Sequence, residues 1–161
     1  MKKTIDIYRG GPYPASALSN LADYKFNLDG VKCGSIEGFL ESLKYKNRFA
    51  AKCIAKKSGK RAKRKGERRS SWKKTQKLYW RGKAYDRSSA ELNALVRRAY
   101  ETAFLANADF RAALCASMGC ELIHSLGNKN ACDTVLTERE FIKHLEYLRR
   151  NYLTQKIIER V

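Results

Sequence analysis

No run of apolar residues in this 161-residue chain approaches the roughly 20 needed to cross a bilayer. The opening, Met1-Lys2-Lys3-Thr4-Ile5-Asp6, reaches an acid before a signal-like apolar stretch can form, so a cytoplasmic protein without a membrane partner is expected. The chain also lacks any Cys-x-x-Cys pair. Its five cysteines, Cys33, Cys53, Cys115, Cys120 and Cys132, are odd in number and read as reduced thiols rather than a disulfide framework. Cys115, Cys120, His124 and Cys132 match no standard zinc-ligand spacing, and Cys115 is read on an apolar helix face, so no metal and no other cofactor is expected. No internal repeat is visible. A chain of this length closes around one core and buries about two thirds of its unfolded surface, which predicts a single domain over residues 1–161.

Acid is the other scarcity. The chain carries 16 Asp and Glu against 34 Lys and Arg, a net charge of +18. From Lys52 to Lys83 there are fifteen cations and one acid, Glu67, so this stretch holds most of the excess. Such a segment suits a polyanion, through Lys60, Arg61, Lys63, Arg64, Lys65, Arg68 and Arg69 above all. A solvated basic loop that only keeps the protein in solution has the same composition. Residues 58–71 show neither helical nor strand periodicity and are expected to form a mobile excursion within a basic insertion at about 58–84. Trp72, Tyr79, Trp80 and Tyr85 then interleave with Lys73, Lys74, Lys77 and Arg81. That mixture serves base stacking with phosphate contact, or simply pins a long loop to the body.

Elsewhere the pattern is regular. Thr4 to Tyr8 alternates as a half-buried strand does, and a Gly- and Pro-rich loop follows. Tyr24 to Leu28 and Val31 to Cys33 flank Asp29-Gly30, a strong two-residue hairpin signal. Ile36, Phe39, Leu40 and Leu43 predict a helix from an N-cap at Ser35 to about Phe49, although Gly38 weakens it by about 1 kcal/mol. A short helix at about 50–57 follows. Leu92 to Ala103 predicts a longer one, Phe110 to Leu114 a shorter one, and Thr137-Glu138-Arg139-Glu140 opens the last with a capping box. Together these predict a mainly helical α+β domain with a small sheet or hairpin in its N-terminal half.

The helix at Ser35 also carries chemistry. Glu37, Glu41 and Lys44 recur at i, i+4 and i+7, and seven residues span about 10 Å of helix axis, within reach of a shared ligand. An ordinary solvated charge stripe has the same spacing. The surrounding residues add a resemblance. Leu18-Ser19-Asn20-Leu21, Phe26-Asn27-Leu28-Asp29-Gly30, Glu37 with Lys44-Tyr45, Leu95-Val96-Arg97-Arg98-Ala99-Tyr100 and Leu145-Glu146-Tyr147-Leu148-Arg149 occur in an order and spacing that resemble the NADAR family, named for its association with NAD and ADP-ribose. The likeness spans about residues 4–152 and is interrupted by the basic insertion.

There are departures. The family's His after the helix Glu is Gly38, the Gln four residues after that Glu is Glu41, and the Trp-Gly and Gly-x-Asn-x-Leu-Gly stretch near the C terminus is replaced by residues 124–127 and 133–137. The chain looks like a variant bacterial or phage subgroup. The resemblance implies cleavage of an N-glycosidic bond between a ribosyl carbon and a base, with Glu37 and Lys44 catalytic and no metal required. Two substrate classes follow: guanine carrying ADP-ribose in nucleic acid, favoured by the basic segment, and phosphoribosylated riboflavin precursors. A non-catalytic nucleic-acid-binding module on the same fold is the third possibility. The partner is then a nucleic acid or an ADP-ribose-like nucleotide, with no obligatory protein partner. Ser19 and Asn20 are expected to bind substrate beside Glu41, Tyr45 or Trp80 to stack on a base, and His124 and Asp133 to complete the site. His144 is expected to be structural.

Overall fold

The computed structural model describes residues 1–153. Strand β1 (Thr4–Asp6) leads to a one-turn helix α1 (Ala15–Leu18), then to the hairpin of β2 (Phe26–Leu28) and β3 (Val31–Cys33). Asp29 and Gly30 turn the hairpin with φ of 50° and 78°, the left-handed pair that a two-residue turn of this kind requires. Asp29 is fixed further by both guanidinium nitrogens of Arg98, at 2.9 and 2.8 Å, and by the Trp80 indole N–H at 2.8 Å.

Helix α2 (Ile36–Ser42) starts where expected, with the Ser35 Oγ accepting from the Gly38 N–H at 2.9 Å. It ends at Ser42 rather than Phe49. Leu43, Lys44 and Tyr45 instead donate to Leu40, Glu41 and Ser42, tightening into turns. Asn47 then caps a new helix, α3 (Arg48–Ala55), slightly ahead of the expected position.

The basic segment is not an excursion. Residues Gly59–Gly66 form helix α4, whose buried side is Gly59, Ala62 and Gly66. Small residues at i, i+3 and i+7 let it pack closely, Gly59 on the Leu21 backbone and Gly66 on Glu41 of α2, a stripe that a search for large apolar residues misses. A short helix α5 (Trp72–Thr75) buries Trp72. Then β4 (Lys77–Trp80) and β5 (Lys83–Asp86) form a second hairpin that the aromatic-cation mixture concealed. Its turn, Arg81-Gly82, has φ of 52° and 83°.

Helix α6 (Ala90–Ala106) is the central element, burying Leu92, Leu95, Val96, Ala99, Tyr100, Ala103 and Phe104. Around it pack α2, β2, α7 (Ala108–Ala116) and α8 (Glu138–Leu148), the last opening with the expected capping box and passing into a wider helical turn, Arg149–Leu153. Strand β6 (Glu121–Ile123) was not expected. It pairs in parallel with β1, so the first strand is completed by the C-terminal half, and among the described residues the strands form three separate pairs. Cys115 is exposed on α7 rather than on its apolar face. His144 is buried, stacked on Tyr100 with centroids 5.0 Å apart, and burial pushes its pKa down to about 4. No described helix is long and apolar enough to cross a membrane.

Candidate active site

One cleft, of about 370 Å³, lies between α2, α4 and the loop from His124 to Thr137. It is within the size range of small-molecule sites. Asn20, Glu37, Glu41 and Lys44 all line it, together with His124 and Asp133 from the far side. Three observations explain how the first four meet. The Asn20 carbonyl accepts the Glu37 N–H at 3.0 Å, tying the loop after α1 to the first turn of α2. The turn after α2 carries Lys44 back toward Glu41, and their side chains pair at 2.7 Å while only 11% and 10% exposed. Gly66 at the end of α4 lies against this pair. Its carbonyl accepts from Lys44 Nζ at 3.2 Å, and a Cβ there would sit 1.3 Å from Glu41 Oε2, so any larger residue displaces the Glu41 side chain.

Crowding of two carboxyls in a poorly hydrated corner sets their electrostatics. Glu37 is pushed up to about 8, first by burial, then by the negative charge of Glu41 and a hydrogen bond shared with it; Lys63 and Lys44 oppose the shift in part. Burial also raises Glu41, against the stabilising pull of the Lys44 ammonium. Glu37 is therefore a carboxyl able to hold its proton near neutral pH, next to an amine whose counterion is the second carboxyl.

Asn20 is oriented from behind. The Tyr100 hydroxyl, fully buried in α6, donates to Asn20 Oδ1 at 2.6 Å, so the amide nitrogen remains as the donor. Tyr100 read as core in the sequence, and only its distance to Asn20 reveals the role. His124 is oriented similarly. Its Nδ1 bonds the Ile7 carbonyl at 2.6 Å, which requires the proton on Nδ1 and leaves Nε2 as acceptor in the neutral ring. The wall from Asp133 to Thr137 is held by Arg87, which donates to the Thr134 carbonyl at 2.8 Å and to both Glu140 oxygens at 3.1 and 2.8 Å.

The other expected site residues fall elsewhere. Ser19 does not line the cleft; its Oγ accepts from Leu21 N–H at 3.2 Å and caps its own turn. Trp80 is 6% exposed, packed edge-on to Phe39 and bonded to Asp29, so it has no free face for a base. Tyr45 sits outside the cleft beneath the Arg69 guanidinium, 5.1 Å from its ring centre. Lys63 and Arg69, themselves exposed, line the cleft, whereas Lys60, Arg61, Arg64, Lys65 and Arg68 are exposed outside it. Lys73 of the aromatic-cation mixture lines the cleft as well, as do Glu67, noted only as the acid of the basic segment, and Asn128, which no sequence pattern marked. Among the described residues no group of three His, Cys, Asp or Glu side chains is placed to hold a metal ion.

The NMR structure of the Escherichia coli protein YbiA matches with a TM-score of 0.65, covering 98% of this chain and 89% of that one at 17% identity, a likeness of fold that supports the NADAR-like architecture. An uncharacterized 17.1 kDa protein of the Gp30-rIII intergenic region of enterobacteria phage T4 is 38% identical over 146 residues, 90% of this chain and 96% of its own. The family model described as bacteriophage protein GP30.3 matches residues 12–150, which include every residue lining the cleft, and the chain belongs to that phage family.

Proposed function

We propose that the cleft hydrolyses an N-glycosidic bond between a ribosyl carbon and a base, with ADP-ribose on guanine in nucleic acid as the substrate. The observation that carries this reading is the raised Glu37 carboxyl beside the Lys44–Glu41 pair in one concave site with Asn20. Glu37 gives its proton to the departing base nitrogen as the bond to the ribosyl carbon breaks. Lys44 passes a proton to Glu41 and attacks that carbon. Opening of the sugar ring yields an imine, and water releases the sugar and restores the amine, with the remaining proton returning to Glu37. The Asn20 amide nitrogen donates to a ribose or base oxygen. The exposed cations of α4 and the turn after it engage the phosphates of the polymer.

The test is release of ADP-ribose from a modified oligonucleotide, with borohydride present during turnover. The expected result is a reduced adduct on Lys44 and loss of both adduct and turnover in Lys44→Ala. Glu37→Gln slows release by about 10²–10⁴-fold, the usual contribution of a general acid. Full activity in Lys44→Ala means direct attack by water. No release by the unaltered protein, or release unchanged by either substitution, makes the chain a binding module on the same fold.

A further inference from the structure

We infer that the basic segment is divided by its own helical phase, and that Lys63, Arg69 and Lys73 form a phosphate subsite inside the cleft, separate from the cations that face outward. This deepens the function proposed above by naming a substrate feature, but it needs only binding, not turnover.

Gly59, Ala62 and Gly66 form the buried side of α4, with Gly59 against the Leu21 backbone and Gly66 against Glu41 of α2, and the adjacent stripe, Lys63 and Glu67, lines the cleft. Lys60, Arg61, Arg64 and Lys65 occupy the rest of the circumference; they are exposed, as Lys63 is, but they do not line the cleft. At 100° per residue this is one helix with three faces, so the cations cannot all serve one surface. The chain beyond α4 adds Arg69 and Lys73 to the cleft wall.

These three differ from Lys44 in a decisive way. Lys44 is already neutralised by Glu41. Among the described residues, Lys63, Arg69 and Lys73 form no ion pair, although Glu67 and Asp133 line the same cleft and Lys63 attracts Glu37 at longer range. Unpaired cations gathered in a concavity repel one another unless an anion occupies the space. Arg69 is also held in place, its guanidinium lying over the Tyr45 ring. A planar donor fixed on an aromatic face loses little freedom when it grips an oxyanion. The fit is to a phosphate or diphosphate, carried either by a free nucleotide or by a polynucleotide entering the cleft.

The experiment compares two variants by titration calorimetry with inorganic pyrophosphate, with ADP-ribose, and with an unmodified single-stranded oligonucleotide. One variant is Lys63→Ala/Arg69→Ala/Lys73→Ala; the other is Lys60→Ala/Arg61→Ala/Arg64→Ala/Lys65→Ala. Thermal melts confirm that each is folded. The inner triple should weaken pyrophosphate and ADP-ribose by about tenfold or more, and the outer quadruple should leave both within about twofold. Both should weaken the oligonucleotide and flatten its salt dependence; if only the outer set does, the subsite serves free nucleotides. Tyr45→Leu, which removes the platform but no charge, should weaken pyrophosphate by about threefold. Pyrophosphate binding that is absent at low salt, or equally reduced in both variants, overturns the subsite. Binding with the expected pattern but without turnover leaves the subsite standing and removes the hydrolase reading.

Discussion

Replacing Glu37 by Gln should stabilise the protein in alkaline solution while slowing the reaction. The carboxyl moves from 4.5 to about 8 on folding, chiefly because ionising it beside Glu41 in a buried corner is unfavourable. An acid with a raised folded pKa holds its proton more tightly when folded. Its favourable contribution is complete below about 4.5 and is lost as pH rises toward 8. At about 1.4 kcal/mol per unit, such a shift sets a ceiling near 5 kcal/mol. Glu37 is half-buried rather than sealed, and Lys44 and Lys63 offset part of the charge, so cleft water and these cations reduce the figure to about 2 kcal/mol. The measurement is urea unfolding of both proteins at about pH 5 and about pH 9, with the change in stability compared between them. The unaltered protein should lose about 2 kcal/mol more than Glu37→Gln over that interval, a difference of about 4–8 °C in Tm for a chain of this size. Parallel pH curves for the two proteins would refute the burial argument, and with it Glu37 as the proton donor.

Three further substitutions probe how the cleft is held. Tyr100→Phe removes the hydrogen bond to Asn20 and frees its amide to rotate; KM should rise by about 3–10-fold with a smaller change in kcat, alongside about 1 kcal/mol of lost stability in denaturant unfolding. Gly66→Ala drives a methyl into Glu41 and displaces its carboxylate from the present contact with Lys44; turnover should fall by at least about tenfold, and stability by about 1–3 kcal/mol, measured by activity and thermal melting of the same samples. Arg87→Ala leaves Glu140 without its bidentate partner and releases the Thr134 carbonyl. It should cost about 2–3 kcal/mol in urea unfolding, less than for a sealed pair because Glu140 is 35% exposed, and should increase hydrogen exchange at residues 133–137.

What the sequence disclosed was local. The Asp29-Gly30 turn, the Ser35 cap and the Thr137 capping box depend on residues within a few positions of one another, and each stands where its pattern placed it. Glu37, Lys44 and Asn20 were found through helix spacing and family order, and they do share a cleft. The features that escaped are non-local or carried by small side chains. Pairing of β1 with β6 joins residues more than a hundred positions apart through three-residue strands. Tyr100 looks like any apolar-face residue until its hydroxyl is seen to reach Asn20. Trp80 was misread because an aromatic among cations suits a stacking platform as well as a hairpin core, and only its burial decides.

Helix α4 is the most instructive of these omissions, because the element that composition marks as a polyanion surface also sets the acidity of the cleft. Gly59 lets it approach the Leu21 backbone and Gly66 lets it approach α2 until it touches Glu41, and that approach excludes water from the two carboxyls. Exclusion of water raises Glu37 toward neutrality, while Lys63 on the same helix pulls it part of the way back. Deleting residues 58–70 therefore does more than remove charge: it uncovers one side of α2, hydrates Glu37 and Glu41, and returns Glu37 toward an ordinary carboxylate. Loss of nucleic-acid binding in such a deletion is uninformative, since binding and acid strength change together. Substitutions confined to the outward face, at Lys60, Arg61, Arg64 and Lys65, separate the two effects, because they leave the α4 contact with α2 and the Lys63 charge in place. If those substitutions alter the pH dependence of turnover on a short nucleotide substrate, the outer cations act on the carboxyls as well, and the division of the helix into two working faces is wrong.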